Sequence, residues 1–325
     1  MRGTVVAVVR GGPSSEHEVS LKSGHAMLSN LSRDAYTVRD IYIDKNGVWH
    51  ERGLATTPAR VLPGVDVVLN ALHGEYGEDG EIQKVLEKYG VPYTGSDSFA
   101  SFVAMHKVMA KEKAKEVGLK TPKYKFIERL EDADEMVHEI IRTFAQPVMV
   151  KPARGGSSVG ITMEAGYQPV HQAVTGILAQ DSGGVLVEEV IRGTEATAGV
   201  VEGLRDEELY ALPPIEILPP NHAPFFTYDV KYSGETREVC PGRFSKVIMD
   251  ELVASARTMH DALGLRHYSR SDFIVSPRGI YYLETNTLPG LTPESLFPKS
   301  LEAVGVAYPD FLTHLIGLAL NRGKR

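Results

Sequence analysis

Along the first hundred positions the apolar pattern changes period several times. Val5–Val9 is an unbroken apolar run that ends in the turn cluster Arg10-Gly11-Gly12-Pro13. A run without polar alternation suits a strand covered on both faces, as in a parallel sheet. Ser14 and Ser15 then offer N-caps, and Glu16–Leu31 has helical composition. Val38–Ile43 and Asp66–Leu72 predict two further strands, the second followed by the loop His73-Gly74-Glu75-Tyr76-Gly77. Ile82, Val85, Leu86 and Tyr89 fall at i, i+3, i+4 and i+7, which predicts a helix face ended by Gly90. Val91–Gly95 reads as a short edge element. Strands alternating with helices predict an open parallel α/β lobe over residues 1–98.

The pattern shifts near Ser96–Ser98. Phe102, Met105 and Met109 predict one helix running to Gly118, and Thr121–Ile127 predicts a strand. Met136, Val137, Ile140, Ile141 and Phe144 mark another helix. Pro147–Pro152 and Gly160–Met163 predict a hairpin around a glycine-serine loop, and Val185–Val190 a further strand. Residues 99–185 are therefore expected to form a small α+β lobe. In 186–325, Met249–Leu263 and Tyr308–Leu320 predict helices, and Asp272–Val275 with Ile280–Leu283 predicts a hairpin. The expected class is α/β with α+β lobes, three in all.

Composition narrows the partners. The chain has 325 residues, 42% hydrophobic and 24% charged, enough for a large buried core. The formal net charge of −7 argues against nucleic acid or an anionic membrane as the main partner. A small anionic ligand stays compatible, because local lysines outweigh the global sign. Cys240 is the single cysteine, so no intrachain disulfide forms; it reads as a buried small residue. Met1–Arg10 reads as a strand, being too short for a signal-peptide core with its cleavage site. No run approaches the roughly 20 apolar residues of a membrane span. A cytoplasmic enzyme is expected.

Three segments carry candidate chemistry. Asp272 opens one strand of the predicted hairpin, and Glu284 and Asn286 lie two apart at the end of the other, facing one side. Three oxygen ligands without His or Cys suit Mg²⁺. The alternative is a solvated hairpin end, but the flanks Tyr281-Tyr282-Leu283 and Phe273-Ile274-Val275 are apolar. Lys151-Pro152-Ala153-Arg154-Gly155-Gly156-Ser157-Ser158-Val159-Gly160 brings a lysine from an apolar strand into a glycine-serine loop. Backbone N–H groups in such a loop approach phosphate oxygens closely, although a plain hairpin turn has the same composition. Lys107 is a candidate second phosphate contact, yet alone it reads as a surface lysine. Glu188–Glu195 offers adenine and ribose contacts, or a simple acidic turn. The Pro/Gly/Ser loop Leu288–Pro298 directly follows the metal candidates. There the Gly290 N–H, with Arg270, suits a developing oxyanion, and Ser295 suits a carboxylate.

Taken in order, these segments resemble the D-alanine–D-alanine ligases of the ATP-grasp superfamily. Gly11-Gly12-Pro13-Ser14-Ser15-Glu16-His17-Glu18-Val19-Ser20 is similar to the family's first signature. Leu72-His73-Gly74-Glu75-Tyr76-Gly77-Glu78-Asp79-Gly80 and Pro92–Ser96 are similar to its second. Lys151–Gly160 resembles its mobile phosphate loop, and Tyr228-Asp229-Val230-Lys231-Tyr232 the start of its lid. Arg270-Ser271-Asp272-Phe273 with Leu283–Gly290 resembles its C-terminal signature. The likeness is collinear over nearly the whole chain. His106 stands where the family usually has Asp, Ser271 where a β-branched apolar residue is usual, and Pro241-Gly242-Arg243 where Pro-Ala is common.

The resemblance implies a three-lobed ATP-grasp architecture. It also implies ligation of two D-alanines through a D-alanyl phosphate, giving ADP and phosphate, for peptidoglycan precursors. Glu16 would hold the amino group of the first D-alanine, with His73 on its carboxylate side. Lys107, Lys151 and Lys231 would contact ATP phosphates, and Gly156, Ser157, Ser158 and Val159 would close over them. Glu188 and Ile191 would meet adenine, and Glu195 the ribose. Ser157, Tyr232 and Glu16 would form a hydrogen-bonded chain. Asp272, Glu284 and Asn286 would bind two Mg²⁺, which Mn²⁺ could replace. Arg270 and Gly290 would form the oxyanion hole, and Ser295 with Leu296 would meet the second D-alanine. The family also implies a homodimer.

Tyr232 favours D-alanine as acceptor over D-serine or D-lactate, since a histidine there resembles ester-forming relatives. A nucleotide-binding regulator without catalysis would bind ATP yet release no phosphate. A kinase or carboxylase on the same scaffold would not need Glu16 and Ser295.

Overall fold

The computed structural model describes residues 3–156, 160–180, 183–220 and 236–322. Among these residues three sheets carry the fold. The N-terminal sheet has the order β4-β3-β2-β1-β5, with β1 (Thr4–Gly11), β2 (Tyr36–Ile43), β3 (Trp49–Glu51), β4 (Leu54–Thr56) and β5 (Val67–Asn70). β2, β1 and β5 run parallel, and β3 and β4 add an antiparallel edge. The run Val5–Val9 explains its own burial: Val6 and Val8 enter one apolar cluster, Ala7 and Val9 another on the opposite face. The edge element at 91–95 is present as a parallel bridge from Tyr93 to Val68.

The central sheet has the order β6-β9-β7-β8: β6 (Tyr124–Ile127), β7 (Val148–Pro152), β8 (Thr162–Glu164) and β9 (Val185–Glu189). Here alternation is clean. Val148, Val150, Val185 and Val187 pack under the helices Ala133–Thr143 and Tyr167–Leu178, while Met149, Lys151 and Glu188 face the other way. The C-terminal sheet runs β13-β12-β10-β14-β15, with β11 (Leu209–Ala211) also on β10. Its strands are β10 (Thr194–Glu202), β12 (Ile215–Leu218), β13 (Arg237–Val239), β14 (Tyr268–Ser276) and β15 (Gly279–Asn286).

Several expectations shift. The single helix predicted from Phe102 to Gly118 is two helices, Ser98–Met105 and Lys107–Glu116. His106 between them is extended (φ −87°, ψ 101°), and the Lys107 N–H donates to the Ala153 carbonyl at 2.9 Å. The break thus ties this segment to the loop that follows β7. Both helices pack on the C-terminal sheet through Ala100, Val103, Ala110 and Ala114, although their sequence position suggested the central lobe. The lobe boundary expected between 185 and 186 falls at the first residue of β9, which is hydrogen-bonded to β6 and β7. Sheet membership argues for a boundary after Glu189. Ser14 does not cap the first helix, whose N-cap is Glu16; its hydroxyl donates to the His73 carbonyl at 2.6 Å instead. Cys240 is only half-buried, beside the small cluster of Ile215, Ile217 and Leu296. No single described helix is long and apolar enough to cross a membrane.

Candidate active site

A cleft of about 970 Å³ lies where the three sheets meet. Its walls include Glu16 and His73 from the N-terminal lobe, Lys107, Lys151 and Glu188 from the middle, and Arg270, Asp272, Glu284 and Asn286 from the C-terminal hairpin.

The hairpin carries a β-bulge between Asp272 and Phe273. Asp272 pairs with Glu284, but Phe273 pairs with Tyr282, so Leu283 is the extra residue. In regular pairing Tyr282 and Glu284, two apart, would share a face. The bulge separates them: Tyr282 joins Phe273 in the core, and Glu284 joins Asp272 at the cleft. Asp272 is gripped by Arg270, whose Nε and Nη2 donate to its two oxygens at 2.9 and 2.8 Å. The Thr197 hydroxyl donates to the same carboxylate at 2.6 Å, and Asn286 Nδ2 at 3.2 Å. Arg270 is largely enclosed, yet Asp272 and Glu284 hold its pKa above the ordinary arginine value. Asn286 spends its nitrogen on Asp272, which leaves its oxygen as the donor end for a cation. Among the described residues no group of three or more His, Cys, Asp or Glu side chains has a metal-holding arrangement. The candidate set is two carboxylates and an amide, an all-oxygen set of the kind Mg²⁺ accepts with phosphate oxygens completing its shell.

The lysines form a second cluster. Lys107 is 6% exposed, not the surface lysine its sequence context suggested. Its Nζ donates to the Gly155 carbonyl at 2.6 Å and lies 3.7 Å from Glu284. Burial pushes its pKa down, against the pull of Glu284. Lys151 Nζ donates to Glu188 Oε2 at 2.7 Å. Burial alone would lower the Lys151 pKa, but Glu188 and Glu284 carry it above its usual value.

At the opposite wall, two loops enclose the Glu16 carboxylate. A Cβ at Gly74 (φ +69°) would stand 3.1 Å from Glu16 Oε1, and one at Gly156 3.0 Å from it. Glycine at both positions therefore lets the loop after β5 and the loop after β7 approach one carboxylate. His73 is buried between lobes: Nε2 lies 2.8 Å from Ser23 Oγ and Nδ1 3.0 Å from the Leu288 carbonyl. Because that carbonyl only accepts, Nδ1 carries the proton. Glu78 sits 3.5 Å from His73 Nδ1 and accepts from the Gly74 N–H at 3.0 Å. Burial, reinforced by the charge of Glu16, raises the Glu78 pKa despite His73.

Comparison with known proteins decides the family. The family described as D-ala D-ala ligase C-terminus matches residues 114–317, and that described as D-ala D-ala ligase N-terminus matches 5–61 and 50–96. A D-alanine–D-alanine ligase of Syntrophobacter fumaroxidans is 39% identical over 317 residues, covering 97% of each chain. The chain belongs to the D-alanine–D-alanine ligase family. Its three-lobed α/β architecture is the ATP-grasp fold of that family, and the family's members are ATP-dependent ligases. The structure of the VanG D-Ala:D-Ser ligase of Enterococcus faecalis superposes with a TM-score of 0.86 at 29% identity, covering 98% of this chain and 100% of the other. The Bacillus anthracis D-alanine–D-alanine ligase complexed with ATP superposes with a TM-score of 0.81, also at 29% identity, covering 100% and 99%.

Most positions singled out for this ligase family line the one cleft: Glu16, His73, Lys107, Lys151, Gly156, Glu188, Ile191, Glu195, Arg270, Asp272, Glu284, Asn286, Gly290, Ser295 and Leu296. Ser157, Ser158, Val159, Lys231 and Tyr232 lie outside the described residues. The Glu188 carboxylate is 1% exposed and taken up by lysines, so any adenine contact at this position falls to its backbone. A Cβ on Gly290 would lie 2.8 Å from Ser295 Oγ. Ser295 holds its own loop, its N–H donating to the Thr292 carbonyl at 2.9 Å and its hydroxyl 2.8 Å from Thr292 Oγ1. Sequence reasoning missed Thr197, Lys111 and the role of Glu78. Lys111 had a usable signal, standing four residues after Lys107 on one helix face.

Proposed function

We propose that this chain ligates two molecules of D-alanine to D-alanyl-D-alanine, with ATP converted to ADP and phosphate, as a step toward peptidoglycan precursors. The observation that carries this reading is the meeting of three groups in one cleft: the Glu16–His73 wall, the Lys107–Lys151 pair and the Arg270–Asp272–Glu284–Asn286 hairpin.

A carboxylate is a poor electrophile because oxide is a poor leaving group. In this reading a carboxylate oxygen of the first D-alanine attacks the γ-phosphorus of ATP, the bond to ADP breaks, and an acyl phosphate results. Lys107 and Lys151 place two cations where phosphate charge collects. Glu16 pairs with the ammonium of the first D-alanine. The amine of the second D-alanine, having lost a proton, attacks the acyl carbon, and phosphate leaves. Arg270 and the Gly290 N–H face the oxyanion of that step, while Ser295 and Leu296 border the second amino acid. Asp272, Glu284 and Asn286 would hold two Mg²⁺, or Mn²⁺, which supply charge neutralisation at the phosphates. A homodimer and a cytoplasmic location complete the proposal on the strength of family membership.

Phosphate release from Mg-ATP, with product masses, tests it. D-Alanine alone should give phosphate and D-alanyl-D-alanine. The likeness to a D-Ala:D-Ser ligase favours D-serine as the second acceptor to offer. ATP binding without phosphate release for any amino-acid pair overturns the ligase reading for this chain.

A further inference from the structure

Behind the cleft, Lys111 makes an ion pair of a different kind from the lysines that line it. It is 0% exposed, and its Nζ lies 2.8 Å from Glu188 Oε1. Lys151 Nζ holds the other oxygen, Oε2, at 2.7 Å. The Lys111 ammonium donates to Thr121 Oγ1 at 3.0 Å. Glu188 is thus a buried carboxylate with a cation on each oxygen, Lys151 lining the cleft and Lys111 on the helix Lys107–Glu116, outside the cleft lining. A buried carboxylate that loses its cation is strongly disfavoured. With Lys151 as its sole partner, Glu188 would compete with any anion for that ammonium.

We infer that Lys111 is a positioning residue: it keeps Glu188 charge-balanced so that Lys151 is free to turn from Glu188 to a nucleotide phosphate. This rests on the proposed phosphate role of Lys151. The electrostatics are consistent with it. Lys151 is held by Glu188 and also feels Glu284 and Glu195, so a second cation on Glu188 lessens the hold on Lys151. Lys111 itself does not line the cleft. It acts through Glu188, and its loss should therefore weaken nucleotide binding without touching the amino-acid sites.

The test is steady-state phosphate release by Lys111→Met, with ATP and D-alanine varied separately, beside calorimetric titration of Mg-ATP. Expected is a rise of about tenfold or more in the KM and Kd for ATP, with the KM for D-alanine and kcat changed far less. Lys111→Arg should restore most of the loss. In the Glu188→Gln background, where no buried carboxylate competes for Lys151, adding Lys111→Met should change ATP affinity by less than about threefold. That pair also serves if Lys111→Met alone does not fold. A folded Lys111→Met with wild-type ATP affinity overturns the inference. So does a tenfold further loss in the Glu188→Gln background, which would mean that Lys111 acts on the nucleotide directly. If the wild type binds ATP but turns over no amino acid, the ligase reading fails, while the calorimetric comparison still decides the role of Lys111.

Discussion

His73 Nδ1 lies 3.0 Å from the carbonyl oxygen of Leu288, a residue 215 positions further along the chain. One imidazole therefore joins the loop after β5 to the loop that carries Gly290. Its other nitrogen is held by Ser23 at 2.8 Å. His73→Ala removes both hydrogen bonds from a buried site. The expected result is a higher KM for D-alanine than for ATP, with a Tm lower by roughly 3–6 °C. Thermal unfolding and two-substrate kinetics check it; an unchanged KM for D-alanine removes His73 from the substrate wall.

Glu284 is the hairpin carboxylate that the bulge turns toward the cleft. Glu284→Gln keeps the shape and removes the charge. Turnover should fall on the order of a hundredfold or more, since several kcal/mol of charge stabilisation are withdrawn. Circular dichroism should be unchanged, because the side chain packs against no core cluster. EDTA should abolish wild-type activity, and added Mg²⁺ restore it. Wild-type rates in Glu284→Gln would take the residue out of the metal set.

Gly290 has no room for a methyl group, since its Cβ would meet Ser295 Oγ at 2.8 Å. Gly290→Ala should lower kcat by about tenfold or more by displacing the N–H aimed at the oxyanion. In a Ser295→Ala background the nearest atom is Ser295 Cβ, at an ordinary 3.5 Å. The added cost of Gly290→Ala should shrink there. Equal costs in both backgrounds would rule out the steric coupling.

Glu202 sets an acid limit on stability away from the cleft. Burial pushes its pKa up, but His260 and the His267 N–H hold it down to about 2, below the ordinary 4.5. A depressed carboxylate contributes stability that is present above about pH 4.5 and is lost as pH falls toward 2. Glu202→Gln should therefore lower the Tm at neutral pH and flatten its decline between those limits. A decline as steep as in the wild type would place the acid sensitivity elsewhere.

Local patterns made much of this molecule legible. The unbroken run Val5–Val9 announced a strand buried on both faces, and Gly90 and Gly118 marked helix ends. Collinear signatures pointed to the ligase family and to many of the polar residues that line the cleft. The reading failed where the deciding partner is distant. His106 is extended because the Lys107 N–H is drawn to Ala153, so one predicted helix became two. Lys107 reads as exposed in its own helix, and only packing against β15 and the loop after β7 buries it.

Side-chain order along the chain determined which chemistry was available: oxygen ligands at 272, 284 and 286, lysines at 107, 111 and 151, and glycines where loops close. Tertiary structure alone decided which of these face one another. The bulge after Asp272 sent Glu284 to the cleft and Tyr282 to the core, against the two-residue period of a strand. Helix docking gave Glu188 two cations rather than one. Register and docking depend on contacts between residues far apart in the chain, and a pattern read along the sequence does not contain those contacts.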